Sequence, residues 1–495
     1  MKLPRSLIAI TAVLLALRLY AAKLIGFGDS EALYATYALH PSLTYLDHPG
    51  FIGFAAHLLS LGGLGSASGT PAPDVLHAAS AVISTAFPIL FFTLTRSAGA
   101  SERRAEIAAG LVAVTPEIAI GLYGFTPDLF LAPAWLGALW LWIRWRQSET
   151  PSKLTFALLL TALAATAKVT ALLLWAGILV DAILELGRSD NSKTKAPIRR
   201  ALLVGVGGSL LLLAPFVWAE AAKSFPMLRH RLVASQGRAG FSLRNLAAVP
   251  LGQIAYLSPF IAFILGRGVV GLAQSKPDAA FAPSSIRWLL IGPLAILGVF
   301  SLWSTVAEPH WLAPAWLTVA FFLTLSDITF PRWLLRASFA LASVLTLAVH
   351  AWVLAPRLHQ FFPAPAEAKH DISNELFGWT DATARLDELR ESYPGATIVG
   401  PHWTICAQLQ ATMGARVAVG CATEIPDDFD RWVPRDRWKS AQTIIWVTDQ
   451  RFPSGMPEGR HTIDRRRLTT FRGGRLARTF EFTVLDRDGS EPHGL

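Results

Sequence analysis

The stretch 153–187, KLTFALLLTALAATAKVTALLLWAGILVDAILELG, decides which fold the sequence predicts. As a single α-helix it would be about 50 Å long, whereas about 20 apolar residues are enough to cross the hydrocarbon core of a bilayer. We therefore predict two short or tilted helices that turn near Lys168. This turn determines on which side of the membrane every later loop lies.

The composition is that of a membrane protein. Of the 495 residues, 52% are hydrophobic and only 16% are charged, and the mean hydropathy is +0.41. Soluble proteins average about 25% charged residues. The net charge of +9 could suggest a nucleic-acid partner, but the positive residues gather in short loops between apolar runs, where they set membrane topology. We predict membrane lipids as partners and no nucleic acid.

The apolar runs predict about eleven membrane-spanning helices. With two helices in 153–187, the loops assigned to the cytoplasm carry 18 positive residues and the opposite loops carry seven. With one helix there, this bias nearly vanishes, so the positive-inside rule predicts a cytoplasmic N-terminus and an external C-terminus. The first run is interpreted as an uncleaved span. Besides the two helices of 153–187, the predicted spans are 5–25, 76–97, 104–123, 128–146, 199–219, 248–268, 285–303, 310–327 and 333–355.

The chain changes character after residue 355. A linker with Pro356, Pro363 and Pro365 separates a membrane domain, 1–355, from a polar region, 366–495. Short β-rich runs at 396–399, 416–419 and 443–447, with an amphipathic helix at 381–393, predict a small external α/β domain. The fold class is thus an α-helical multi-spanning membrane protein with a small C-terminal α/β domain. Its two cysteines, Cys406 and Cys421, are compatible with a disulfide or with two buried thiols.

The first external loop, 26–75, contains candidate functional residues. A short helix at 31–39 places Tyr34 and Tyr37 on one face, which is suited to lying in the membrane interface. The presence of Asp29 or Ser30 before this helix can be explained by capping, since either side chain can accept hydrogen bonds from the first backbone N–H groups.

Capping explains neither Glu31 nor the later Asp47-His48 pair. Asp128 follows Pro127, and both could simply begin a helix. An ionisable residue at the membrane boundary is nevertheless a functional candidate. In the external loop before the tenth span, Glu308-Pro309-His310-Trp311 fits either an interfacial aromatic belt or a site.

A basic external loop breaks the positive-inside pattern and therefore indicates a local anion, such as a lipid phosphate. Simple contact with headgroups is the alternative. Lys168 could point outward or join the same anion site. The loop contains Lys223, Arg229, Arg231, Arg238 and Arg244.

The order of these motifs resembles the bacterial family 39/83 glycosyltransferases, relatives of protein O-mannosyltransferases and of the lipid A aminoarabinose transferase. The resemblance covers nearly the whole chain and implies the GT-C fold. It also implies an inverting transfer of a sugar from an undecaprenyl- or dolichyl-phosphate donor to a lipid, glycan or protein acceptor in the periplasm. The enzyme would be a multi-pass protein of the bacterial inner membrane.

The resemblance implies roles for particular residues. Ser30 stands where the family usually has Asp, and Gly50 replaces a second Pro, so Asp29 and Glu31 remain alternative bases. Asp29, Glu31 and Asp128 are expected to be catalytic. We expect His48, Lys168, Arg229 and Arg231 to bind the donor phosphate, and Tyr34, Asp47, His310 and Trp311 to line the substrate pocket.

Nothing in the sequence resembles a metal site, and we expect neither a cofactor nor a metal requirement. A secondary transporter or lipid flippase is the main alternative, but it would predict inverted repeats and charges near mid-membrane. A phosphoethanolamine-type transferase needs a large soluble metal domain. A non-catalytic scaffold is a further alternative because of Ser30.

Overall fold

A computed structural model of the chain describes residues 2–61, 69–148, 150–188, 192–237, 239–274, 283–305, 308–363, 365, 367–453 and 455–487. Arg238, Lys276 and the part 62–68 of the predicted first loop lie outside the described residues.

Helices make up most of the fold. In chain order they are α1 Arg5–Ala22, α2 Asp29–Tyr37, α3 Phe51–Ser60, α4 Pro73–Ser97, α5 Glu102–Val114, α6 Pro116–Ala119, α7 Pro127–Ser148, α8 Pro151–Ala165, α9 Ala171–Arg188, α10 Ser192–Ala221, α11 Pro226–Leu232, α12 Leu243–Leu257, α13 Pro259–Gln274, α14 Pro283–Trp303, α15 Ala313–Leu325, α16 Arg332–Leu354, α17 Trp379–Ser392, α18 Trp403–Met413, α19 Asp428–Trp432 and α20 Arg435–Ser440. The strands are β1 Thr397–Gly400, β2 Val419–Cys421, β3 Thr443–Asp449, β4 Arg460–Arg472 and β5 Arg475–Arg487.

The chain forms two compact units. The first unit comprises Met1–Arg18, Leu43–Phe51 and Ala79–Ala348, and the second comprises Leu19–Ser42, Ile52–Ala78 and Val349–Leu495. The last segment of the second unit begins at Val349, close to the predicted linker. It also includes two parts of the first loop, which the prediction of two contiguous domains did not assign to it.

The predicted turn near Lys168 is present in the first unit. α8 ends at Ala165 and α9 begins at Ala171, so Lys168 lies in the connection between two helices. α7 packs on α8, and α8 packs on α10. Two buried indoles of α7 bond to further helices: Trp142 Nε1 donates to Asp181 of α9 at 2.8 Å, and Trp135 Nε1 donates to Thr318 of α15 at 2.8 Å.

The single helix predicted for 248–268 is wrong. α12 and α13 meet at 109°, with Ser258 between them at φ 72. Pro259 has no backbone N–H and restricts the residue before it, so the helix cannot continue through this point. Pro116 similarly separates α5 from α6, which leaves a bend of 65° in the predicted span 104–123.

The described helices differ in whether they are long enough to span a membrane. Among the described residues, four helices are long and apolar enough to cross a membrane, or up to six if each bent pair counts as one span. The four are α1, α4, α10 over Lys195–Ala221, and α16. Several shorter apolar helices accompany them, including α8. The chain is a multi-pass membrane protein.

The second unit contains the predicted small α/β domain. Its sheet has the strand order β2-β1-β3-β5-β4, with parallel pairing from β2 to β3 and antiparallel pairing from β3 to β4. Strands were predicted at 396–399 and 443–447, and both are confirmed. The run predicted at 416–419 begins three residues later, at Val419.

The disulfide and the helix α2 of the second unit are both visible in the structure. Cys406 and Cys421 form a disulfide that joins α18 to the end of β2. α2 begins two residues earlier than predicted, so Gly28 occupies the cap position and the prediction of Asp29 or Ser30 as the cap is wrong. Every residue of α2 except Ser30 is buried, and the helix packs against α18. Tyr34 and Tyr37 therefore lie inside the protein and do not face a membrane interface.

Candidate active site

Asp128 and Lys168 form a partly buried ion pair in the first unit. Lys168 Nζ lies 2.8 Å from Asp128 Oδ1 and 2.7 Å from Oδ2. Pro127 begins α7, which places Asp128 in the first turn, and the break between α8 and α9 leaves Lys168 free to reach it. One ammonium therefore neutralises both carboxylate oxygens.

The loop that carries Asp47 and His48 is a tight one. Thr44 and Pro49 form an isolated β-bridge, and the Tyr45 N–H donates to the His48 carbonyl at 2.9 Å. The Thr44 hydroxyl donates to the buried carboxylate of Glu220. These contacts fix the backbone on both sides of Asp47.

The structure brings Arg231 to this loop, as the phosphate-site prediction requires. Arg231 Nε donates to the Asp47 carbonyl at 3.1 Å and lies 3.4 Å from Asp47 Oδ1. Arg231 Nη2 is 3.5 Å from His48 Nε2. His230 Nε2 is 3.8 Å from Asp47 Oδ1. The side chains of the helix α11 and of the loop 43–50 thus form one polar group.

His48 is held in its neutral form. Burial lowers the pKa of its imidazole well below the ordinary value, and the nearby charges of Arg231, Lys168 and His310 lower it further. A neutral imidazole can still donate one hydrogen bond. The shared electrostatic influence also shows that these four basic side chains belong to one neighbourhood.

His310 and Trp311 lie at the end of the loop before α15. His310 Nε2 is 3.4 Å from Glu308 Oε2, and Trp311 Nε1 donates to the same oxygen at 3.0 Å. The Trp311 ring stacks on Phe300 with a centroid distance of 5.4 Å. Glu308 therefore orients both residues that the sequence singled out.

Arg229 stands apart from the other predicted phosphate ligands. Its side chain is exposed, and it makes no ion pair with the part of the first unit that the structure describes.

Glu117 is a buried carboxyl group that sequence reasoning missed. It lies in α6 and is close enough to Asp128 and Lys168 for their charges to interact. Within the described residues, its Oε2 atom is buried and accepts no hydrogen bond. The sequence feature that could have identified Glu117 is its position directly after Pro116, as an acidic residue inside an apolar span.

Asp29 is fully engaged in the second unit. Its Oδ1 accepts from Gln408 Nε2 at 3.0 Å, and its Oδ2 lies 2.7 Å from Arg451 Nη1. Arg451 also binds Asp449, with Nε 3.0 Å from Oδ2. Sequence reasoning missed Gln408 and Arg451, because neither belongs to a motif of the first loop.

Glu31 has different partners in the same unit. Its Oε2 accepts from the Gly28 N–H at 2.9 Å and lies 3.0 Å from His77 Nε2. Both side chains are buried, and so is Tyr34, whose ring is 5.9 Å from that of Tyr37. Glu31 thus takes part in capping α2, contrary to the sequence interpretation, while it also bonds to a histidine.

A third carboxyl group, Glu375, lies near this acidic pair. Burial raises its pKa to about 8, and the charge of Asp29, then that of Glu31, acts in the same direction, although Arg451 opposes it. Glu375 therefore holds its proton at neutral pH and can donate a hydrogen bond.

The described residues contain no cluster of metal ligands. No group of three or more His, Cys, Asp or Glu side chains is arranged to hold a metal ion there. The expectation that the reaction needs no metal stays a prediction.

Known proteins resemble this chain in part of its sequence and in its structure. Residues 73–218 match the family described as dolichyl-phosphate-mannose-protein mannosyltransferase. The crystal structure of ArnT from Cupriavidus metallidurans bound to undecaprenyl phosphate is similar, with a TM-score of 0.58, 13% identity, and coverage of 96% of this chain and 97% of that chain. Its apo structure gives a TM-score of 0.56 at 14% identity, with the same coverage.

The chain has the GT-C glycosyltransferase fold. Arabinofuranosyltransferase AftD from Mycobacteria is also similar, with a TM-score of 0.54 and 15% identity. The match covers all of this chain but only 42% of AftD. Among curated proteins, no sequence matches the chain. The predicted fold and the resemblance to GT-C glycosyltransferases are confirmed.

The predicted site residues of the chain belong to both of its units. The first unit holds Asp47, His48, Asp128, Lys168, Arg229, Arg231, His310 and Trp311, and the second holds Asp29, Glu31 and Tyr34. Except for Arg229, those of the first unit gather in one polar neighbourhood.

Proposed function

We propose that the chain is an inverting glycosyltransferase that takes a sugar from a polyprenyl-phosphate donor and transfers it to an acceptor in the periplasm. The GT-C fold supports this reaction class, as does the family match over residues 73–218. The similar ArnT structure contains undecaprenyl phosphate, which supports a lipid-phosphate donor of this kind. The acceptor would be a lipid, a glycan or a protein.

The chemistry is a single displacement. The acceptor oxygen attacks the anomeric carbon, the bond from that carbon to the phosphate oxygen breaks, and a carboxylate takes the proton of the acceptor hydroxyl. Polyprenyl phosphate leaves as a stable anion, so the leaving group needs cations more than it needs an acid. The site must therefore combine a base with fixed positive charge.

The observation that carries the proposal is the basic cluster of the first unit. The charges of Arg231, Lys168 and His310 act on His48, and those of Lys168 and His310 also act on the carboxylate of Asp128. A phosphate would supply a negative charge to this group and accept its N–H bonds. We assign donor-phosphate binding to His48, Lys168 and Arg231. Arg229 keeps this role as a prediction, since an exposed arginine can turn toward a ligand.

The base is assigned to a carboxylate. Asp29, Glu31 and Asp128 remain the candidates, and Glu117 joins them because one of its buried oxygens accepts no hydrogen bond from the described residues. Tyr34, Asp47, His310 and Trp311 would shape the substrate pocket. No step needs a metal or a cofactor.

The first experiment compares envelope lipids and glycans by mass spectrometry in cells with and without the gene. We expect a sugar-bearing product to disappear and its unmodified acceptor to accumulate. An unchanged product profile, together with altered uptake of a solute or lipid, would instead support the transporter or flippase alternative.

The second experiment replaces Asp29, Glu31, Asp128 and Glu117 by alanine, one at a time. Loss of a base or an orienting carboxylate is expected to lower transfer at least about 100-fold. Asp327→Ala is the control, because Asp327 is exposed and lies outside the cluster. Membrane insertion is checked by protease protection. If all four variants keep wild-type activity, the site assignment is wrong.

A further inference from the structure

The second unit has an apolar and basic surface that the proposed reaction does not use. It consists of the tip of the β4–β5 hairpin and of the segment that follows α16. Its large apolar side chains are strongly exposed, with Phe361 at 73%, Phe362 at 55%, Phe471 at 68% and Leu476 at 47%. Exposed apolar patches of this kind mark binding surfaces. We call it the tip surface.

The end of α16 fixes the level of the tip surface. α16 has 23 residues and is about 35 Å long, which suffices to cross a hydrocarbon core of about 30 Å. Its last residue, Leu354, therefore lies near a headgroup layer. Phe361 and Phe362 follow within eight residues.

Two arginines fasten the hairpin to this helix end. Arg472 Nη2 donates at 2.8 Å to each of the carbonyls of Trp352 and Val353, which are among the last four of α16 and have no partner within the helix. Arg475 donates to the carbonyls of Phe362 and Pro363. The backbone is close as well, since a Cβ at Gly473 would meet the Pro356 carbonyl oxygen at 2.0 Å. The hairpin tip is thus held at the level where α16 ends.

A cleft opens beside the tip surface. It has a volume of about 660 Å³, and Trp352, Arg467, Arg475, Leu476 and Thr479 are among its lining residues. Arg467 is exposed and makes no ion pair or side-chain hydrogen bond with the described residues. Four carboxyl groups also line the cleft, and each has a partner other than these arginines. Glu481 pairs with Arg465 and Glu367 with Lys369. Asp449 pairs with Arg451 and Arg478, and Asp371 accepts from Trp352 and Ser373.

Buried Arg472 lines the same cleft, and its guanidinium lies over the Phe377 ring at 4.3 Å from the centroid. Its side chain is only 7% exposed, and its Nε atom donates to no described residue. Its other nitrogens bind neutral groups, the two carbonyls and the Ser373 hydroxyl at 2.6 Å. A cleft with several arginines that bind no carboxylate, beside exposed aromatics at the end of a spanning helix, has the chemistry of a site for anionic lipid headgroups.

We propose that the tip surface lies in the headgroup layer and that the adjacent cleft binds the phosphate of an anionic phospholipid. Phe471, Leu476, Phe361 and Phe362 enter the boundary between headgroups and acyl chains. Arg467 and Arg475 bind the phosphate. The C-terminal domain is thereby anchored to the membrane at a second place besides α16.

The depth of the tip can be measured in the full chain. The only two cysteines are paired with each other, so Phe471→Cys introduces a single free thiol for an NBD fluorophore. Ile463→Cys is the matched control: Ile463 is an exposed apolar residue of the same strand, eight residues or about 26 Å away. The protein is reconstituted in vesicles of phosphatidylcholine and phosphatidylglycerol.

We expect lipid-attached nitroxides to quench the label at position 471 several-fold more strongly than the label at 463. Equal weak quenching at both positions, with full access to aqueous iodide, would overturn the proposal. Protection at 471 from both quenchers would also overturn it, because a protein partner would then cover the tip.

The headgroup charge is tested separately. Arg467→Gln should lower the ratio of phosphatidylglycerol to phosphatidylcholine retained by the purified protein in native mass spectrometry at least twofold. Arg466→Gln is the control, since Arg466 pairs with Asp464 and neither residue is among those that line the cleft. An unchanged ratio for Arg467→Gln would refute binding of an anionic lipid in the cleft.

Discussion

Arg451 binds two carboxylates at once, and this arrangement leaves Glu375 as the neutral member of the group. Asp29 and Asp449 both lie within 3.0 Å of the Arg451 guanidinium. Arg478 adds a second cation, with Nη1 2.7 Å from Asp449 Oδ2. Two arginines thus offset two carboxylates, and a third buried negative charge would have no counter-charge. Protonation of Glu375 is the least costly solution.

This arrangement makes stability depend on pH. The pKa of Glu375 is about 8 in the folded chain and near 4.5 when unfolded. Between these values the folded state holds a proton that the unfolded state releases, so the free energy of unfolding falls as the pH rises. Glu375→Gln keeps the neutral form at every pH. We expect the variant to be more stable than wild type by at least about 1 kcal/mol at pH 8.5, with a flatter pH profile.

Thermal unfolding of the detergent-solubilised chain between pH 5 and pH 9 provides the measurement. Glu388→Gln serves as the control, because Glu388 is an exposed partner of Arg385 and its loss should leave the slope unchanged. Parallel loss of stability in wild type and Glu375→Gln would contradict the assignment of the proton to Glu375.

At the scale of elements, the bend between α5 and α6 shows how the fold tolerates a broken helix. Pro116 ends the regular hydrogen bonding, and carbonyls near the break need donors, since a bilayer supplies none. Arg18 of α1 provides them: Nη2 donates to the Ile118 carbonyl at 3.1 Å and to the Ala119 carbonyl at 2.9 Å. Its Nη1 donates to Thr85 Oγ1 at 2.8 Å. A charged residue inside the first apolar helix thus holds the segment that leads to Asp128.

Arg18→Met should therefore loosen this part of the first unit. Two buried carbonyls would lose their donor, at about 1–3 kcal/mol each. We expect a drop in the free energy of unfolding of about 3 kcal/mol, detected as a lower Tm in detergent. Arg5→Met is the control, as Arg5 is exposed. Equal Tm values for the two variants would show that Arg18 does not support the break.

At the scale of the whole molecule, the break near Lys168 determines the orientation of every later segment. We expect two helices in this region to place the C-terminal domain outside the cytoplasm, where an oxidising compartment would maintain the disulfide between Cys406 and Cys421. A single helix would invert the later loops.

Alkaline phosphatase fusions test this orientation, because the enzyme is active only outside the cytoplasm. We expect activity for fusions after Lys168 and after Arg487, and none for a fusion after Arg188. Green fluorescent protein at the same positions should give the opposite pattern. An active phosphatase after Arg188 would mean that residues 153–187 cross the membrane once.

Local physical chemistry determined much of the fold from the sequence alone. Hydropathy and helix length depend on neighbouring residues, so the apolar helices, the turn at Lys168 and the short helix after Gly28 were predictable. Hydropathy did not predict the bend at Ser258, because the apolar run continues on both sides of Pro259. The β4–β5 hairpin was missed because its strands are rich in arginine and lack a plain alternation of apolar residues.

Only the tertiary structure decided the partners of the charged residues. Asp29 binds Arg451, which lies 422 residues further along the chain, and Glu31 bonds to His77. The pairing of Asp128 with Lys168 likewise depends on how α7 meets the end of α8. Sequence motifs identify which groups can ionise, since that is a property of the side chain. Which counter-charge each group meets depends on distance in three dimensions, and a linear pattern contains no such distance.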